Sequence, residues 1–239
     1  MSERRVKRMV PEETENGPVA RALEGAITTR PLTGKDIPPG RDHMYECVFQ
    51  LDHPVFERLK GQKMPLHFHS SQHEYMQVLE GRLLYEVEGK EMVLKPEDGE
   101  VCIKPWTHHR ILPTPPTDGP SGRRTVFKLS SSDSDQVFKL DDIFYENWYS
   151  YQEEFIVHGG SISLLQILVM YDAGGSYLSL PRWIPFGKAI SYYILGIGMG
   201  RYLAAALGYQ PYYREWTTKW DEACRKMETT LFQRRFARK

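Results

Sequence analysis

Between Met44 and Leu129 the chain alternates short runs of apolar, β-branched or aromatic residues with turn residues. The runs are Met44–Leu51, Leu66–His69, Glu74–Leu79, Arg82–Val87, Glu91–Leu94, Glu100–Lys104, His109–Leu112 and Thr125–Leu129. Glu80-Gly81 and Glu88-Gly89 fall between runs as tight turns. Many short strands at this spacing predict an antiparallel sandwich or barrel. After about Ser130 the pattern turns helical. Trp216, Trp220, Ala223, Met227 and Leu231 recur at three- and four-residue steps, which makes one apolar stripe on a helix. Ser163–Tyr171 is apolar and β-branched enough to suit either a helix or a strand. The segment 1–42 is polar, rich in Pro and Gly and without clear period, and is expected as an extended arm. The expected division is an arm over 1–42, a β-barrel over 43–130 and a helical region over 131–239.

A mostly apolar stretch of 20 residues, Ala189–Gly208, carries Gly196, Gly200, Ala204 and Gly208 at four-residue steps. On a helix these positions form a flat face of small residues that admits a close neighbour. Arg201 within the stretch and its diluting tyrosines favour a buried or dimer-forming helix over membrane contact. Gly196, Gly198 and Gly200 lack the spacing and the βαβ context of a nucleotide-binding turn.

Lys and Arg number 31, as do Asp and Glu, so the formal net charge is zero and no global field attracts nucleic acid. Three cysteines (Cys47, Cys102, Cys224) without CxxC spacing fit a reducing compartment, and the N-terminal residues show no apolar signal segment. A cytoplasmic protein is expected.

The candidate chemistry lies at His67-Phe-His69-Ser-Ser-Gln-His73-Glu74. On a strand, residues i and i+2 share a face, so His67 and His69 aim two imidazoles at one point. A short connection, Ser70–His73, then brings back Glu74, as on a metal-binding hairpin. A third imidazole is expected from another strand, and His109 is the candidate. His73 and His108 alternate away from the ligands, and Cys102 reads as a small hydrophobe rather than a nucleophile.

These residues resemble the cupin superfamily, whose motifs are G-x5-H-x-H-x3–4-E-x6-G and G-x5-P-x-G-x2-H-x3-N. His67, His69, Glu74 and Gly81 keep the spacing of the first motif, with Gly61 at its start. The run Ile103–Ile111 is similar to the second and places the fourth ligand on His109 rather than His108. Lys104 stands for a proline, Trp106 for the glycine and Pro113 for the asparagine. The likeness spans residues 44–130, about a third of the chain. It implies a fold that is mainly β with an α extension: a cupin double-stranded β-helix, or jelly-roll barrel, followed by a C-terminal helical region. That tail is similar to fungal cupins of secondary-metabolite pathways.

Three imidazoles and one carboxylate suit one divalent transition metal: Fe(II), Mn, Ni, Cu or Zn. An octahedral ion on four protein groups keeps two positions open, whereas a tetrahedral zinc would be closed, so iron is favoured. The resemblance implies a metal-dependent enzyme acting on a small organic molecule, first an oxidoreductase of dioxygenase type. The alternatives are a redox-neutral isomerase, cyclase or decarboxylase, and a non-enzymatic small-molecule-binding cupin. No residue is assigned a catalytic role beyond the ligands. Met76, Tyr85 and Trp106 are candidate substrate contacts, Trp106 by narrowing the pocket mouth, and a homodimer is compatible with the small-residue helix face.

Overall fold

A computed structural model describes residues 12–14, 17–60, 62–119 and 122–237. Gly61, the first position of the resemblance, and residues 1–11 lie outside them. Each of the eight apolar runs forms a strand: β4 (Arg41–Gln50), β5 (His67–His69), β6 (Glu74–Glu80), β7 (Leu83–Val87), β8 (Lys90–Leu94), β9 (Glu100–Ile103), β10 (His109–Pro113) and β11 (Arg124–Ser132). Part of the segment expected as an arm is also strand: β1 (Glu12–Thr14), β2 (Gly17–Ala22) and β3 (Ile27–Pro31). A twelfth strand, β12 (Ser176–Leu178), comes from the helical region.

Among the described residues the strands form two antiparallel sheets, ordered β1-β2-β3-β4-β11-β6-β9 and β12-β5-β10-β7-β8. Alternation buries Met76 and Val78 of β6, Phe127 and Leu129 of β11 and Cys47 and Phe49 of β4 against Leu83 and Tyr85 of β7. This is the interior of the sandwich. Glu88-Gly89 joins β7 to β8 as a two-residue loop with both residues at positive φ, 48° and 78°. Such a turn matches the twist of the flanking strands, which is why glycine occupies its second place.

Helices cover the barrel. Asp141 caps α2 (Asp142–Ile156) by accepting a hydrogen bond from Phe144 N, and Ser163 caps α3 (Leu164–Ala173) in the same way through Gln166 N. The Ser163–Tyr171 ambiguity thus resolves as helix. The longest helix is α4 (Gly187–Leu207), by length and composition apolar enough to cross a membrane. Its residues Ile190–Ala204 are wound in the wide π form. Ser191, Gly196, Gly200 and Ala204 are its buried positions, and their five- and four-residue steps follow that wider turn.

The small residues serve packing inside the chain. A Cβ on Gly200 would meet the Leu168 carbonyl oxygen of α3 at 2.6 Å, and one on Gly196 would meet the Tyr177 ring at 2.4 Å. Arg201 donates two hydrogen bonds to Asp172 of α3, at 2.8 and 2.9 Å. Gly208, expected on the same face, instead ends the helix at φ 108°. The opposite side of α4 is apolar and exposed, with Tyr193, Ile194 and Leu207 each more than half accessible. Finally, α5 (Trp220–Glu228) is shorter than the stripe predicted; it buries Ala223 and Met227 and pairs Lys226 with Asp141.

Candidate metal centre

His67 and His69 lie on one face of β5, with ring centroids 5.1 Å apart. The register sets His109 of β10 directly across from His67, and its ring is 4.5 Å from that of His67 and 5.0 Å from that of His69. One ligand atom from each of the three lies within 4.8 Å of the other two. Glu74 arrives from the opposite side. It opens β6, whose neighbours are β11 and β9, whereas β5 lies between β12 and β10. His67–Glu74 is therefore not a hairpin, contrary to the sequence expectation; Ser70–His73 crosses from one sheet to the other. Buried Gln72 holds that corner: its Nε2 donates to Ser131 Oγ and Ser132 O, and its Oε1 accepts from Leu140 N. The crossing lets a carboxylate face three imidazoles across the sandwich.

Each imidazole is oriented through Nδ1. His67 Nδ1 is 3.0 Å from Pro65 O and His109 Nδ1 is 2.8 Å from Thr107 O. A carbonyl only accepts, so each Nδ1 carries a proton and each Nε2 presents its lone pair. His69 Nδ1 lies 3.0 Å from Ser176 Oγ, and that hydroxyl donates to Gly174 O, which leaves it to accept from His69. His109 Nε2 stands 2.7 Å from Glu74 Oε2, and His69 Nε2 stands 3.6 Å from the same oxygen. All three atoms are buried and make no hydrogen bond. Lone pairs facing one another at that separation need a cation between them, either a proton or a metal ion. Orphaned donors of this kind, with their outer nitrogens tied to carbonyl or hydroxyl oxygen, fit a divalent metal.

The electrostatics agree. Burial alone would raise the Glu74 carboxyl, but the His109 and His69 imidazoles against it hold it well below the usual range. Burial pushes His67 well below its ordinary 6.5 and lowers His69. Burial would also lower His109, but the Glu74 carboxylate overrides it and raises that imidazole.

A pH signature follows for the chelated protein. Below pH 6.5 the unfolded chain protonates His67 and His69 while the native chain resists, so stability rises with pH up to about 6.5. Above 6.5 the native chain still holds a proton on His109 that the unfolded chain has released, so stability falls as pH rises through the raised value. Thermal unfolding of chelated protein is expected to show a maximum just above pH 6.5. The metal-loaded protein keeps its stability above that pH, because a metal favours deprotonated ligands.

The other residues singled out in the sequence are placed as follows. Met76 and Tyr85 are buried in the sandwich interior, and the Tyr85 hydroxyl makes no hydrogen bond. Trp106 is elsewhere. Its ring stacks on Phe68, the β5 residue between the two histidines, and packs against Tyr192 of α4. It therefore lies on the outer face of β5 and does not narrow a mouth on the metal side. Its φ of 63° is the left-handed conformation that the glycine of the motif would adopt at no cost. The stacked Phe68 ring, the tilted Tyr192 ring and a 2.7 Å hydrogen bond from Trp106 N to His69 O hold it there. His108 also faces outward, against Phe68 and with its Nδ1 2.6 Å from Ser179 Oγ, and His73 stacks on Tyr75.

The family profile described as Cupin domain matches residues 55–114. The chain is 42% identical over 217 residues to an oxidoreductase of Arthrobotrys oligospora, covering 90% of this chain and 83% of the relative. It is 41% identical over 218 residues to the probable oxidoreductase yanE of Aspergillus niger, covering 90% and 82%. The chain is a cupin of this family. A further relative is the epoxidase atD of Aspergillus terreus, 36% identical over 208 residues, covering 83% of this cupin and 63% of the relative.

Two positioning residues of the cupin escaped the sequence reading because they come from the helical region. Tyr171 of α3 stacks on His67 at 5.9 Å, and Ser176 of β12 holds His69. A serine more than a hundred residues from its histidine leaves no local signal. Ser176→Ala is expected to leave the fold intact and weaken metal retention by about 10- to 100-fold, read by competition with a chelator.

Proposed function

We propose that this cupin is a metal-dependent oxidoreductase acting on a small, largely apolar organic molecule, and that iron(II) is its ion. The observation that carries the reading is the convergence of His67, His69 and His109, whose ligand atoms lie within 4.8 Å of one another, with Glu74 Oε2 set against His109 and His69 from the other sheet; the atoms His69 Nε2, Glu74 Oε2 and His109 Nε2 are buried and make no hydrogen bond. Relatives named oxidoreductase and epoxidase support the class of reaction. These four residues would hold the ion, which supplies Lewis-acid or redox chemistry to a substrate oxygen when bound.

The chain's own contribution is placement and exclusion of water. Nδ1 hydrogen bonds fix the imidazoles, and the apolar interior around Met76 and Val78 keeps the site dry. A place in secondary-metabolite biosynthesis rests on the likeness of the helical tail. The test is incubation of the loaded protein with a library of neutral oxygenated small molecules, with mass spectrometric readout. Oxidation that needs both dioxygen and the ion is expected. Turnover that consumes no dioxygen would assign a redox-neutral reaction, and turnover unaffected by chelation would contradict the proposal.

A further inference from the structure

Between the inner face of β3 and β4 and the helix α2 lies a cavity of about 200 Å³. Thr29, Tyr45, Cys47 and Leu129 form its sheet wall, and Tyr145 and Tyr149 form its helix wall. The register connects it to the metal centre: Leu129 pairs with Met76, two residues along β6 from Glu74, and with Tyr45 on β4. Cys47 and Leu129 share one buried core with Met76, and Tyr145 and Tyr149 pack against that core. The walls are apolar. Burial keeps Cys47 a neutral thiol, and no Lys or Arg lines the space.

Two carboxylates stand at one end, each already engaged. Asp142 accepts from Tyr45 and Lys219, and Glu146 accepts from the Thr218 amide and hydroxyl. The Tyr145 and Tyr149 hydroxyls, by contrast, have no hydrogen-bond partner among the described residues, although both rings are packed against the core. Unpaired phenols on an otherwise apolar wall are donors waiting for a ligand oxygen. An engineered apolar cavity of about 150 Å³ accommodates benzene. The present volume therefore suits one ring with a few substituents, and carboxylates at one end with no Lys or Arg lining the space disfavour an anion.

We propose that this cavity is the substrate site and that it admits a neutral, single-ring molecule whose oxygens accept hydrogen bonds from Tyr145 and Tyr149. The inference rests on the oxidoreductase reading for what happens to the ligand, but binding is measurable without turnover. Calorimetry on the full chain with 3-hydroxybenzaldehyde, 3-hydroxybenzoate and 2-naphthaldehyde tests charge and size together. The neutral one-ring aldehyde is expected to bind at least about tenfold more tightly than the other two. Ala20→Leu, which fills the cavity from β2, should abolish that binding, and Thr29→Leu repeats the test from β3. Tyr145→Phe and Tyr149→Phe should each weaken it by about five- to tenfold, the loss of one hydrogen bond.

Metal content measured on the same samples separates the two readings. Binding without a retained ion would sink the metalloenzyme and keep the cavity. A retained ion with no binding of the one-ring aldehyde, equal binding of the anion, or binding unchanged in both cavity-filling variants would overturn the cavity assignment.

Discussion

His109→Ala is expected to fold, to retain no stoichiometric transition ion and to lose at least about a thousandfold in turnover, the scale of removing an assembled metal centre. The reason lies in how the site is divided. His67 and His69 come from one strand and remain in place through Pro65 O and Ser176 Oγ, but Glu74 faces them from the other sheet. His109 is the imidazole closest to that carboxylate, at 2.7 Å, and it does most to hold the carboxyl low against burial. Without it a buried carboxylate loses its main partner and takes up a proton, so the fourth donor is lost together with the third. Elemental analysis and circular dichroism of the purified variant check both halves of the prediction.

Arg201→Met should lower the unfolding free energy by about 3 kcal/mol, toward the lower end for breaking a buried pair because Arg201 itself is partly accessible. Asp172 is fully buried, and its other partner is the Tyr177 hydroxyl at 3.3 Å. Burial already raises the Asp172 carboxyl, with Arg201 opposing that rise, so removing the guanidinium leaves either a proton to be bound or a bare charge. For a chain of this size the loss corresponds to a fall in Tm of about 6–12 °C. The double variant Arg201→Met, Asp172→Asn should recover much of it, since no charge is then stranded. The effect reaches the metal centre as well: Tyr177 sits on β12 next to Ser176, the partner of His69. Metal affinity of Arg201→Met is therefore expected to fall although the residue touches no ligand.

Much of the barrel was legible in the sequence because its signals are local. Period-two alternation and glycine turns gave all eight strands between residues 41 and 132 to within a few residues, and the i, i+2 histidines gave a shared face. What was not legible depends on long-range partners. The four residues from Ser70 to His73 have the length of a hairpin loop and read as one in the sequence alone; their crossing between sheets depends on the long-range hydrogen bonds of Gln72 to β11 and Leu140. Trp106 at the glycine position looked like an obstacle to the pocket. Its ring instead covers the outside of β5, because a left-handed residue turns the side chain toward Phe68 and α4.

The small-residue rhythm of α4 was visible, but its purpose was not. Gly196 and Gly200 admit Tyr177 and the Leu168 backbone of the same chain, while Gly208 ends the helix. The segment over residues 17–31, read as an arm from its Pro and Gly content, extends the larger sheet through β3. Strand pairing there is supplied by β4 and not by alternation within the segment.

The central claim is that His67, His69, Glu74 and His109 form a metal centre, and elemental analysis of the purified wild-type protein tests it most directly. One transition ion per chain, removed by chelation and absent from His109→Ala, is the predicted result. A wild-type protein that holds no stoichiometric transition ion, even after reconstitution with iron(II), manganese, nickel, copper or zinc, would contradict it.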